Sequence, residues 1–388
     1  MNILTICHEL PPVSGGGGIG ALGIARELAK SNTVHVIAPR YKGMQKTEIS
    51  GGLVIHRVRV IGSVNVEANS ALNMPLAFAS FIVSAITRGL LLHLKHRFDA
   101  IHTHFVIPAG LAGYMLSAVT RVPHLTTIVE AEIFDPRRQG VEPFKNPLIL
   151  GLVGRIINSC SAAVAISSFM KTAAERYCAV SKPVVVINHG REKIDIAPVD
   201  RSSMGLRDSD FLIAAVSRLV KRKGYNYLLD TIARTDGNVK LLIMGAGPER
   251  AALEARARAL GIEDKVVFLG RVTDEQKYRY LSVSDIFALH SLHEGMGIVY
   301  LEAMYFGLPV VTTNDGGQGD LMVEGVNGFM LSVGDVEGAL GKINLLRGDR
   351  ALREKMSRDN RARALDFGIE KTAQKYSILF EKISGRPK

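Results

Sequence analysis

The sequence predicts an α/β protein of two lobes, each built on a parallel sheet flanked by helices. Apolar runs of strand length alternate with helix-period stretches along the whole chain, the rhythm of repeated βαβ units. That rhythm breaks once, at the polar, turn-rich segment GREKIDIAPVDRSSMGLRDSD from Gly190 to Asp210, which reads as a linker. The length of 388 residues, with 47% hydrophobic and 22% charged content, suits two domains that each bury a core and excludes a disordered chain.

The first lobe is assigned to residues 1–190, with strands at NILTICHE, TVHVIAP, AIHTHF, HLTTIVEA, AAVAIS and VVVINH. The linker spans 191–210. The second lobe, 211–366, has strands at FLIAAVSRL, VKLLIMGAG, KVVFLGRV, DIFALH, PVVTT and NGFMLSV. The closing run RARALDFGIEKTAQKYSILFEKI is helical with a break near Phe367-Gly368, which sets 367–388 apart as a last helix. No solenoid-period repeat interrupts this plan.

MNILTICHEL has no basic leader before its apolar run and reads as a buried strand, not a signal peptide. The segment Pro75 to Leu94 is apolar but carries Arg88 and is closed by His93, Lys95, His96 and Arg97. It falls short of a clean membrane span and reads either as a core helix or as a greasy face laid against a bilayer. Cys7, Cys160 and Cys178 are odd in number and not closely spaced, which argues against a disulfide framework or structural zinc and for a cytosolic address. The net charge of +11 is concentrated in the first half: 18 Lys and Arg face 10 Asp and Glu in residues 1–190, against 30 and 27 in residues 191–388. Such a surface suits anionic headgroups or lipid diphosphates, so an anionic membrane surface is an expected partner. Without Trp or any nucleic-acid module signature, nucleic acid is not.

The chemistry concentrates in SLHEGMGIVYLEAMYFGLPVV, Ser291 to Val311, where seven residues separate Glu294 from Glu302. Gly295 and Gly297 let backbone approach a ligand, and a helix starting near Gly297 aims its first free N–H groups at a phosphate. Glu302, one turn in and on the face of Ile298, can accept hydrogen bonds from ribose hydroxyls. Taken singly, either glutamate reads as a solvated charge. Upstream, RLVKRKGYNYLL places Arg218 at a strand end and Lys223 before a helix-opening glycine, two cations able to neutralise a diphosphate. Four glycines, Gly15 to Gly18, follow the first strand and can cradle an anion or allow close approach. LLIMGAGPER has Arg250 where a dinucleotide fingerprint needs its third glycine, so no NAD site is read there. His102 and His104 share a face of AIHTHF, but no further ligand accompanies them and no metal site is assigned. Asp208-Ser209-Asp210 precedes a strand and reads as a turn.

Together the Glu-x7-Glu stretch and its GLPVVTT continuation resemble the signature of retaining glycosyltransferases of the GT-B fold, in particular glycosyltransferase family 4 (glycosyl transferases group 1). Arg218 and Lys223 are similar to that family's Gly-Arg-Leu…Lys-Gly motif, with Ser217 in place of the glycine. The resemblance covers nearly the whole chain, tightly from Arg218 to Asp320. It implies two Rossmann-like lobes facing across a cleft, with a C-terminal helix crossing back to the first. It also implies transfer of a hexose or N-acetylhexosamine with retention, from a nucleotide-diphosphate sugar to a glycan or polyprenyl-diphosphate-linked acceptor. UDP-sugar is favoured and GDP-sugar is the alternative. The sugar nucleotide is a co-substrate, and no cofactor or metal is implied.

By the same resemblance Arg218, Lys223 and Glu294 act in catalysis, Glu294 on sugar hydroxyls and Glu302 on the ribose. The loop Gly295, Met296, Gly297, Ile298 and Val299 meets the phosphates, Arg271 and Val272 read the base edge, and Gly16 and Gly17 lie across from the diphosphate. His104 is the implied acceptor-side residue. The chain departs from the family pattern at HLTTIVEAEIFDP, where Val129 stands at the usual histidine and Glu130 at the usual glycine. Glu130 or Glu132 either takes over there toward sugar or acceptor, or caps the local turn. His189 replaces an asparagine before Gly190, and Asp320 stands where Glu is common. Two rival readings stay open: an epimerase or glycan phosphorylase on the same architecture, and a sugar-nucleotide-binding subunit without turnover.

Overall fold

The computed structural model describes residues 1–12, 15–62, 74–129, 133 and 146–385, and these divide into two compact units. In the first the chain runs β1 (Asn2–Cys7), α1 (Gly16–Leu28), β2 (Thr33–Arg40), β3 (Thr47–Ser50), β4 (Leu53–Arg59), α2 (Met74–His96), β5 (Ala100–His104), α3 (Leu111–Thr120), β6 (His124–Ile128), α4 (Pro147–Ser159), β7 (Ala162–Ala165), α5 (Ser168–Tyr177) and β8 (Val184–Val186). The sheet order is β3-β4-β2-β1-β5-β6-β7-β8, parallel throughout except for the edge strand β3. The hairpin β3–β4, turning at Gly51-Gly52, adds two strands to those expected from the sequence. Strands β1, β2, β5, β6 and β7 are buried along nearly all their length, as parallel strands covered on both faces must be.

Helix α2 settles what the apolar segment does inside this unit. Met74, Ala77, Phe78, Phe81, Ala85, Gly89 and Leu92 fall at helical spacing on one face and are buried, several of them in the core with Leu4, Ile6 and Ile101. Length and composition alone would let α2 cross a membrane, yet a third of its most apolar window is buried in the protein. Its opposite face leaves Leu76, Val83, Leu91 and Leu94 exposed.

The second unit runs β9 (Phe211–Val216), α6 (Tyr225–Ala233), β10 (Val239–Met244), α7 (Arg250–Ala259), β11 (Val266–Gly270), α8 (Asp274–Val283), β12 (Ile286–Leu289), α9 (Ile298–Tyr305), β13 (Val310–Thr313), β14 (Gly328–Leu331), α10 (Val336–Gly348) and α11 (Arg350–Ala364). Its parallel sheet has the order β11-β10-β9-β12-β13-β14. From β9 the chain winds outward through β10, and from β12 it winds the opposite way. The strand order therefore reverses between β9 and β12, and a crevice opens beyond the carboxyl ends of strands at such a point. In the first unit the same reversal falls between β1 and β5.

The division between units falls at Glu192/Lys193, so most of the expected linker, 193–210, belongs to the second unit. Arg201 fastens it: its guanidinium donates to the Val283 and Asp210 carbonyls at 3.0 Å and to Asp285 at 2.9 Å. At the other end Gly368 breaks the helical run with extended backbone, and α12 (Ile369–Ser384) joins the first unit. Ile369 N–H donates to the Arg191 carbonyl at 3.1 Å, Thr372 to the Asn188 carbonyl at 3.1 Å, and the Tyr376 hydroxyl lies 3.0 Å from that of Thr127. With Tyr376 and Phe380 fully buried, the last helix is part of the first unit's core.

Candidate functional site

In the second unit the loops leaving β9, β10, β12 and β13 are bound to one another at the carboxyl ends of the strands. Glycines permit this. Gly224, at φ 63°, passes so close to the His290 carbonyl that a Cβ would sit 1.9 Å from it, and Leu292 N–H donates to the Arg222 carbonyl at 2.8 Å. Ser217 and Leu219 N–H groups donate to the Met244 and Ala246 carbonyls at 3.1 and 3.0 Å, and a Cβ on Gly245 would meet the Ser217 carbonyl at 1.8 Å. The Gly245-Ala246-Gly247 turn thus clamps the turn that presents Arg218, and its glycines serve backbone packing rather than a dinucleotide.

This clamping brings Lys223 to Glu294. The Lys223 ammonium donates to Glu294 Oε1 at 2.6 Å, and Ser291 Oγ donates to the same oxygen at 2.8 Å. Glu294 is 4% exposed. Its backbone is fixed by Gly316 and Gly317: Gly317 N–H donates to the Glu294 carbonyl at 2.9 Å, and a Cβ on Gly316 would lie 2.7 Å from Glu294 N and O. The two residues expected to serve different parts of a donor are instead paired with each other. The buried cation and anion neutralise each other, which offsets the cost of taking either out of water.

Helix α9 starts as the sequence implies, with Gly297 at φ 78° as its N-cap and Ile298 as its first residue. Tyr300 requires the glycine, since a Cβ there would lie 2.4 Å from its ring. Gly297, Ile298 and Val299 are partly exposed, so the first-turn amides of α9 remain approachable, whereas Met296 at 2% exposure is a core side chain that can offer a ligand only its backbone.

Glu302 is not a surface helix charge: it is 1% exposed. Its Oε1 accepts from the Lys277 ammonium at 2.9 Å and from the Tyr278 hydroxyl at 3.4 Å, and Lys277 also donates to Asp274 at 2.8 Å. Burial pulls the Lys277 ammonium toward deprotonation, but Glu302, Tyr278 and Asp274 outweigh it and hold its pKa above the ordinary lysine value. Sequence reading missed Lys277, Tyr278 and Ser291. For Lys277 a signal was present: Thr273 and Gln276 form a capping box that fixes the start of α8, which puts Lys277 in its first turn beside the expected base-reading residues. Of these, Arg271 is exposed and Val272 partly so, in the turn between β11 and α8.

The first-unit assignments fare differently. Gly16 opens α1 and is exposed, while Gly17 packs its Cα against Phe105 and Val129, with 2.7 Å left for a Cβ on either side. Val129, at the place of the family histidine, is a buried apolar contact. His104, the implied acceptor-side residue, lies inside the first unit. It is fully buried, its ring 4.2 Å from that of His102 and 6.0 Å from that of His189, with Tyr376 of α12 alongside. Burial holds these imidazoles neutral, His102 down at about 3, His189 at about 4 and His104 well below its usual range. Glu130 and Glu132 lie outside the described residues. Among the described residues no three His, Cys, Asp or Glu side chains converge as a metal site.

Comparison with known proteins fits this geometry. Residues 14–192 match the family model Glycosyltransferase Family 4, and residues 197–363 match Glycosyl transferases group 1. An uncharacterized glycosyltransferase of Methanocaldococcus jannaschii is 29% identical over 85% of the chain and 84% of its own length. The GDP-mannose-dependent alpha-(1-6)-phosphatidylinositol monomannoside mannosyltransferase of Mycolicibacterium smegmatis is 25% identical over 99% of the chain and 98% of its own length. Among solved structures, Anabaena HepE in complex with UDP-glucose superposes with a TM-score of 0.78 at 21% identity, covering 98% of this chain and all of that one.

Proposed function

Because the chain belongs to the family 4, group 1 glycosyltransferases of the GT-B fold, we propose that it transfers a hexose or N-acetylhexosamine from a nucleotide-diphosphate sugar, with retention, to a glycan or lipid-linked acceptor. The observation that carries this reading is the switch-point assembly of the second unit. Arg218 and Lys223 follow β9, Glu294 and the α9 start follow β12, and Glu302 lies one turn further on. A diphosphate set against Arg218, Lys223 and the first amides of α9 gains charge stabilisation as the sugar–phosphate bond breaks. The acceptor hydroxyl adds to the anomeric carbon on the face the diphosphate leaves, and its proton passes to the departing phosphate oxygen. Glu294 accepts hydrogen bonds from sugar hydroxyls once Lys223 turns to the diphosphate. UDP-sugar is the favoured donor, supported by UDP-glucose in HepE, with GDP-sugar the alternative supported by the mannosyltransferase relative.

Arg218 and Lys223 supply the positive charge that a metal supplies in other transferases, so turnover proceeds in EDTA. Incubation of the chelated protein with UDP- and GDP-sugars and a lipid-linked glycan acceptor should release nucleotide, and proton NMR of the new glycosidic bond should show the donor's anomeric configuration. Activity that vanishes in EDTA and returns with manganese, or an inverted product, contradicts this mechanism.

The acceptor side rests on the first unit. Its excess of cations and the exposed stripe Leu76, Val83, Leu91 and Leu94 of α2 support docking on an anionic membrane that carries the acceptor. We expect co-sedimentation with anionic vesicles that weakens as salt rises. Equal indifference to anionic and neutral vesicles at low salt would point to a soluble acceptor.

A further inference from the structure

We infer that Lys277 is a positioning residue for nucleotide recognition, holding the Glu302 carboxylate in the orientation in which it accepts the ribose hydroxyls. The inference rests on the proposed nucleotide-sugar reading and adds to it a residue that no signature motif contains. Lys277 and Glu302 are 25 positions apart, on α8 and α9, and both are buried, at 8% and 1% exposure. A carboxylate taken out of water needs a compensating partner, and a single donor would leave it free to rotate about its last torsion. Lys277 restrains that rotation because it is itself held at two further points. Its ammonium contacts Glu302 at 2.9 Å and Asp274 at 2.8 Å, and it lies 4.7 Å from the centre of the Tyr278 ring. Asp274 is fixed in turn by its place in the first turn of α8, which the Thr273–Gln276 capping box locks.

Lys277 and Tyr278 both approach Glu302 through Oε1. Ribose discrimination then depends on α8 as well as on the signature helix. Lys277 acts through Glu302 and not on the ligand, which separates it from an additional phosphate-binding cation. Removing it should leave the diphosphate contacts intact and erase the preference for ribose.

The experiment is calorimetric titration of UDP, GDP and ADP, each with its 2′-deoxy and 3′-deoxy counterparts, into wild type, Lys277→Met, Glu302→Gln and the double variant. Wild type should bind its preferred ribonucleotide about tenfold more tightly than the deoxy forms, the scale of one hydrogen bond to a charged group. Lys277→Met should bring that ratio close to one with little change in affinity for the deoxy forms, and the double variant should match Glu302→Gln. If Lys277→Met does not fold, Lys277→Gln keeps a donor beside the carboxylate and should give an intermediate ratio. A wild-type ratio in a folded Lys277 variant overturns the inference alone, as does a double variant that binds the ribonucleotide more weakly than Glu302→Gln. Wild type that binds no nucleotide overturns the functional reading together with it.

Discussion

Replacing Lys223 with Ala should lower kcat/KM by about 10²–10³, a transition-state loss of about 2–4 kcal/mol, the range for removing one preorganised donor. The pairing with Glu294 adds a second effect. With Lys223 gone, Glu294 remains buried with the Ser291 hydroxyl donating to it, and an uncompensated buried charge costs about 3–5 kcal/mol of stability. The two effects separate in a double variant. Lys223→Ala with Glu294→Gln removes the orphaned charge, so its melting temperature should recover while turnover does not. Steady-state kinetics and thermal melts on the single and double variants check this. A Lys223→Ala enzyme that keeps more than a third of wild-type turnover would show that the ammonium never reaches the leaving group.

The second large effect divides the two glutamates of the signature. Glu294 shares its oxygen with Lys223 and Ser291 at the reversal between β9 and β12, whereas Glu302 lies a turn into α9 against Lys277. A residue that meets sugar hydroxyls only as the bond breaks lowers turnover without weakening the free nucleotide; one that meets ribose weakens the nucleotide in every state. Glu294→Gln should therefore cost turnover about a hundredfold, while Glu302→Gln should cost nucleotide affinity about tenfold.

Much of this was legible in the sequence because it is written in short-range signals. Strands of the parallel sheets appear as continuous apolar runs, and Gly297 announces the α9 start within five residues of both its functional neighbours, Glu294 and Glu302. What sequence did not show depends on packing between distant segments. Nothing local in KRKG says that Lys223 meets Glu294; the contact exists because Gly224 lets its loop press on the His290 carbonyl. The capping box places Lys277 in the first turn of α8, but its pairing with Glu302 was hidden for the same reason, since that partner is on another helix. The resemblance put His104 on the acceptor side, but a motif on one strand does not say what covers that strand, and Tyr376 of α12 covers His104 from nearly the far end of the chain. The hairpin β3–β4 escaped because the short edge strand β3 has Ile49 as its one apolar residue, although Gly51-Gly52 after it is a turn signal.

The most direct test of the central claim, that this switch point holds a nucleotide through Glu302 and a sugar through Glu294, is calorimetric titration of UDP and GDP, in EDTA, into wild type, Glu302→Gln and Glu294→Gln. Wild type and Glu294→Gln should bind one of the two nucleotides with affinities within about threefold of each other, and Glu302→Gln about tenfold more weakly. Equal binding by all three proteins, or weakening in Glu294→Gln alone, would contradict the account.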